Sequence, residues 1–238
     1  MTTFEPEILP PTPPETTPAR PWSVREAWLG LALMALLTLG GGVLTAFVRE
    51  SLVFQTIGLV GLELIYALPA LALVLWRKVP WADLGLKAFP ANSLALGCGL
   101  MLGGYVIILI HNLLLMVFKL QTQGLEILEL FNQLKSPVGL ILAGVLVAPF
   151  SEELFFRGFL FGGLEARYGW KKAALVSSLL FAVFHLNLPS LVPTFILGGI
   201  FAVMYHQSKS IWPGIFLHFL MNAFSLCSLL ALSQLPRP

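Results

Sequence analysis

The chain has 238 residues, of which 57% are hydrophobic and 11% charged. A soluble domain carries about 25% charged residues, so a water-soluble globule is excluded. Its 14 Lys and Arg against 12 Asp and Glu leave a formal net charge of +2 and no basic run to neutralise phosphates, which excludes nucleic acid as a partner.

Residues 1–26 contain seven prolines, four glutamates and few aliphatic side chains, a composition that reads as a disordered, semi-extended tail. A cleavable signal would open on basic residues and an apolar stretch, whereas Glu5 and Glu7 stand here among prolines. The transmembrane domain is expected over 27–238. Its first three apolar runs, 27–48, 52–76 and 93–118, each exceed the roughly 20 helical residues that cross a hydrocarbon core. Residues 119–136 mix Leu125, Ile127, Leu128, Leu130, Phe131 and Leu134 with Glu126, Glu129 and Lys135, which suits a helix lying on the membrane surface. Four further runs begin at Val138 and cover 173–186, 191–205 and 211–232; 173–186 and 191–205 are short, so one of them is a candidate re-entrant segment. The expected fold is an all-α polytopic bundle of about seven transmembrane helices with one surface helix.

Two further patterns support this layout. All six tryptophans (Trp22, Trp28, Trp76, Trp81, Trp170 and Trp212) fall at or near expected helix ends, where the headgroup boundary favours them. A cytoplasmic N-terminus puts nine basic residues inside against four outside, which follows the positive-inside rule. Cys98 and Cys227 lie far apart in apolar runs and are expected as buried packing residues, with neither a disulfide nor a thiolate cluster.

Charge is expensive inside a bilayer, at about 2.5–3.5 kcal/mol per residue on insertion scales, so intramembrane polar groups need a reason. The densest group is Ser151-Glu152-Glu153-Leu154-Phe155-Phe156-Arg157. Adjacent helical residues point about 100° apart. Glu153 and Arg157, four residues apart, can pair as a brace and leave Glu152 to project elsewhere. The second element is Phe181-Ala182-Val183-Phe184-His185, near the end of a run. The third is His218-Phe219-Leu220-Met221-Asn222, whose spacing stacks imidazole and carboxamide on one helical face. Taken singly, a buried His is more often a satisfied structural residue, and a Glu pair can be a helix-helix salt bridge. Jointly, one carboxylate, two imidazoles and one amide can hold a water and polarise a carbonyl. Glu63, His111 and Asn112 lie in other runs with no informative partner, Glu63 being a candidate cavity or gate residue. His206 is expected at a solvated loop edge beside Lys209.

The ordered set Glu-Glu-x-x-x-Arg (Glu152, Glu153, Arg157), Phe-x-x-x-His (Phe181, His185) and His-x-x-x-Asn (His218, Asn222) resembles the CAAX protease and bacteriocin-processing family. That family includes the type II CAAX prenyl endopeptidases and bacterial Abi-type proteins. The resemblance covers 138–232 and implies a helix bundle around a polar cavity open to one leaflet, with peptide-bond hydrolysis inside. It implies Glu152, His185, His218 and Asn222 as catalytic residues, with Glu153, Arg157 and Phe181 in support. In the favoured scheme Glu152 and His185 hold and deprotonate a water, while His218 and Asn222 donate to the developing oxyanion. No cofactor is required by that scheme. Zinc is the alternative, with Glu152, His185 and His218 as ligands from scattered helices and without a His-Glu-x-x-His motif. The implied partners are a protein or peptide substrate at the membrane and the lipid bilayer, in a multi-pass protein of a bacterial inner membrane. Two other readings use the same residues: a non-catalytic scaffold or bacteriocin immunity protein that binds peptides in the cavity, and a proton-coupled carrier that also uses Glu63.

Overall fold

The computed structural model describes residues 20–47, 52–120, 123–134 and 136–234. Among these, the secondary structure is helical throughout, with nine principal helices and no strand. We label them α1 (Val24–Phe47), α2 (Leu52–Ile65), α3 (Leu68–Arg77), α4 (Asn92–Val117), α5 (Gln123–Gln133), α6 (Val138–Tyr168), α7 (Trp170–Phe184), α8 (Leu191–Ser208) and α9 (Trp212–Ser233).

Five of these helices are long and apolar enough to cross a membrane, or six if α2 and α3 form one broken span. That pair corresponds to the second apolar run and bends by 57°. The bend falls where Pro69 occupies the first turn of α3, because proline lacks the N–H that would continue the α2 ladder. The fifth apolar run is α7, whose 15 residues reach only about 22 Å at 1.5 Å per residue. It ends short of a full crossing and hands the chain to a 3-10 turn, Leu188–Ser190. There Leu186 takes a left-handed φ of 51° and the Asn187 side chain accepts from the Ser190 N–H at 2.9 Å.

The first helix starts with a capping box. Ser23 Oγ accepts from the Glu26 N–H, and the Glu26 carboxylate accepts from the Ser23 N–H at 2.8 Å; two end donors are thereby satisfied reciprocally. Of the expected tail, residues 1–19 lie outside the described residues, but the last part of that segment is built into the fold. Trp22 is 2% exposed, stacks on Phe159 and donates from Nε1 to the Phe159 carbonyl at 3.0 Å. It is a core residue and not a boundary tryptophan. Trp28, Trp76, Trp81 and Trp212 do stay exposed. Arg20 reaches the Asp83 carbonyl, the Tyr205 hydroxyl and Glu165. Burial works against its charge, yet Tyr205 and Glu165 outweigh that and hold its pKa above the usual value.

Two sequence expectations are corrected beside this cluster and on the outer face. His206 is no solvated loop residue: it lies within α8, its Nδ1 is 3.1 Å from Glu165 Oε1, and its ring stacks on Trp170 with centroids 4.3 Å apart. Lys209 joins the same carboxylate at 2.9 Å. Cys98 and Cys227 are exposed free thiols on the outer faces of α4 and α9, so apolar sequence context here signals contact with lipid and not internal packing. The exposed Leu102, Val106, Leu109, Leu113 and Phe224 share this outer surface.

The core forms around α6, the most enclosed of the spans. Phe155, Phe156, Phe159 and Phe161 pack with Tyr66, Phe181 and Leu164; Phe155 to Phe156 and Phe156 to Phe181 are edge-to-face pairs at 5.0 and 5.2 Å, a geometry that aromatic quadrupoles favour. Small residues set the remaining spacings. A methyl at Gly104 would lie 2.7 Å from Ile200 Cδ1, and one at Gly198 would lie 3.1 Å from Ser178 Cα, so α4, α7 and α8 approach closely. The surface helix α5 sits against α9, with Phe131 buried beside Val145 and Leu226.

Candidate active site

Three helices supply the polar groups, and the backbone of α6 departs from α geometry on both sides of its contribution. Stretches Leu142–Val147 and Leu154–Phe161 are π-helical, flanking the α turn Ala148–Glu153 that carries both carboxylates. A π turn changes the pitch of the helix and commonly marks functional sites. The second stretch is buried at all eight residues.

Glu153 and Arg157 form the expected brace. Arg157 Nη1 lies 2.9 Å from Glu153 Oε1 with side chains 0% and 1% exposed; the two charges meet without the angle of a hydrogen bond. Arg157 Nη2 donates to the Gly198 carbonyl at 2.9 Å, and its guanidinium lies 4.5 Å from the Phe181 ring centroid. Gly214 leaves room for Glu153, since a methyl there would stand 2.8 Å from Oε2.

Glu152 faces a cavity of about 440 Å³ that is also lined by His185, His218 and Asn222. All four residues expected to be catalytic therefore share one space. Phe181 lines it as well, with its ring 4.8 Å from that of His185. His185 stands at the end of α7, and its Nδ1 is 2.8 Å from the Phe181 carbonyl. A carbonyl only accepts, so Nδ1 carries the hydrogen and Nε2 is left with its lone pair. The shortness of α7 is what delivers this ring to the cavity.

His218 sits between both carboxylates. Its Nε2 is 3.9 Å from Glu152 Oε2 and its Nδ1 is 3.7 Å from Glu153 Oε1, while the ring stacks on Phe201 at 5.2 Å. Glu153 thus reaches the site's imidazole as well as its brace. Asn222 Nδ2 donates to the Gly144 carbonyl at 2.8 Å, a link from α9 to the first π stretch that orients the amide and leaves its second hydrogen free.

Glu63, Tyr66, Gly144, Thr194 and Ser225 also line the cavity, and Ile127 of α5 covers part of it. Sequence reasoning named Glu63 as a cavity candidate but passed over Tyr66, although the two stand three residues apart and so share one helical face. Ser225 likewise follows Asn222 by three. His111 and Asn112, on α4, do not line the cavity. Among the described residues no three His, Cys, Asp or Glu side chains converge as a metal-ligand set.

Comparison with known proteins falls on the same part of the chain. Residues 134–224 match the family model for Rce1-like type II CAAX prenyl endopeptidases. Over 85 residues the chain is 36% identical to "Putative membrane peptidase YdiL" of Bacillus subtilis (strain 168), a match covering 36% of this chain and 35% of that protein. The chain thus spans about a third of the length of the curated relative it matches. No solved structure matches the chain. The matched stretch holds all three motifs in order, on helices that turn them toward one cavity, and over these residues the chain is similar to the type II CAAX prenyl endopeptidases.

Proposed function

We propose that this protein is an intramembrane endopeptidase that hydrolyses peptide bonds of membrane-associated proteins or peptides through a water activated by Glu152 and His185. The observation that carries this reading is the single cavity lined by Glu152, His185, His218 and Asn222 within a helical membrane bundle. The match to type II CAAX prenyl endopeptidases supports the reaction class.

The chemistry follows from which atoms are free. Glu152 and His185 both line the cavity and His185 Nε2 keeps its lone pair, so both side chains can accept from a water held between them. Glu152 takes the proton as the water attacks the scissile carbonyl, a role that contributes about 10²- to 10⁴-fold. The free amide hydrogen of Asn222 and the Nε2 side of His218 face the developing oxyanion, where one donor is typically worth about 2.7–4 kcal/mol. Glu152 then returns its proton to the leaving amine. Glu153 holds His218 from the opposite side, and Arg157 keeps Glu153 in place. These steps require no metal. The same features suit a multi-pass protein of a bacterial inner membrane with a cytoplasmic N-terminus, as the basic-residue count suggests.

The test is comparative profiling of membrane-protein termini in cells carrying the wild type or Glu152→Ala. New termini present with the wild type and lost in the variant are expected. Identical profiles would contradict an enzymatic role and favour a peptide-binding scaffold.

A further inference from the structure

Glu63 lies outside the matched residues 134–224, yet it opens onto the same cavity as Glu152. It comes from α2, the last full turn before the chain bends into α3. Its Oε2 is buried and has no hydrogen-bond partner. Tyr66, one turn further on, presents its ring beside it, held by Phe155, Phe156 and Phe184.

The cavity contains two carboxylates and no Lys or Arg among its described lining residues. The nearby Arg157 is engaged by Glu153, the Gly198 carbonyl and the Phe181 ring, so it does not serve Glu63. A buried carboxylate without a cation is costly, and pairing with one offsets that cost. Glu152 is assigned to the water. Glu63 is therefore the cavity carboxylate left to receive a cation from the substrate. A membrane segment supplies such a charge at its ends, where Lys and Arg cluster at the boundary.

We infer that Glu63 forms a cation-binding subsite of the cavity, which takes a Lys or Arg side chain of the substrate close to the scissile bond, with the Tyr66 ring as one wall. Substrates with a basic residue there are preferred over neutral ones, and acidic residues are disfavoured. The subsite deepens the endopeptidase reading, and its binding test stands apart from cleavage.

The probes are short N-myristoylated peptides of one neutral sequence, identical except for Lys, norleucine or Glu walked through successive positions. Binding to the full chain in lipid nanodiscs is read by fluorescence anisotropy, and cleavage of the same peptides by mass spectrometry. At one or two positions the Lys peptide is expected to bind the wild type at least about tenfold tighter than the norleucine peptide, a free-energy difference of about 1.4 kcal/mol. Glu63→Gln should bring that ratio to about one, and Glu63→Lys should favour the Glu peptide. Equal binding of Lys and norleucine peptides by the wild type at every position overturns the subsite, whatever the variants do. A Lys preference that survives in Glu63→Gln also overturns it. Peptides that bind with the expected preference but are never cut count against the endopeptidase reading and not against the subsite.

Discussion

Replacing Arg157 by Met tests how the site is braced. In the native fold Arg157 is fully buried, 2.9 Å from the Glu153 carboxylate and 2.9 Å from the Gly198 carbonyl, with its guanidinium over Phe181. Methionine fills much of the volume but removes the charge and the donors. Glu153 would then keep only His218 Nδ1 at 3.7 Å, and the Gly198 carbonyl would lose its side-chain donor. Breaking one side of a buried pair typically costs about 3–5 kcal/mol, a large part of the roughly 5–15 kcal/mol that holds a domain folded. Removing the second charge as well, in Glu153→Gln/Arg157→Met, should recover about 1–3 kcal/mol through the coupling of the pair. Equilibrium unfolding of the wild type, both single variants and the double variant in detergent micelles reads this cycle. An Arg157→Met protein within about 1 kcal/mol of wild type would refute the reasoning, as would a double variant whose loss equals the sum of the singles.

Four further outcomes follow from the geometry. Gly158→Ala should destabilise by about 1–3 kcal/mol, because its methyl would stand 2.5 Å from the Leu84 carbonyl oxygen, a backbone atom with little room to yield. Gly99→Ala has nothing within 4 Å and should leave the melting temperature unchanged or higher, so the two variants together check the packing. Asn222→Ala removes the link to Gly144 and a candidate oxyanion donor; kcat for peptide cleavage should fall about 10²- to 10³-fold, and a fall of less than threefold would count against that role. Trp22→Ala should lower stability by about 3–5 kcal/mol, measured by thermal unfolding, since its ring and its bond to Phe159 tie the segment before α1 to α6.

Much of the site can be read from sequence spacing because its key relations lie within single helices. Glu153 and Arg157 pair at i,i+4 as expected, and His185 and Phe181 meet one turn apart. Relations between helices are not encoded in spacing. Nothing in the chain order says that His218 would sit between Glu152 and Glu153, or that Asn222 would bond to Gly144 some 78 residues away. The burial of Trp22 and the contact of His206 with Glu165 were missed for a similar reason. Local composition records polarity, whereas both side chains are placed by elements distant in sequence. Cys98 and Cys227 show the reverse limit, since an apolar stretch in a membrane protein looks the same whether it faces lipid or core. The π stretches around Ala148–Glu153 leave no sequence signature beyond Gly144 and Pro149.

The central claim is that Glu152 activates the attacking water. The most direct measurement is the cleavage rate of one membrane peptide by wild type and Glu152→Gln, purified and reconstituted in lipid nanodiscs at equal loading. Gln keeps the shape of the side chain and one acceptor oxygen but cannot take the proton. The expected result is a fall in kcat of about 10²- to 10⁴-fold with peptide binding retained. A variant that cleaves at the wild-type rate would contradict the account.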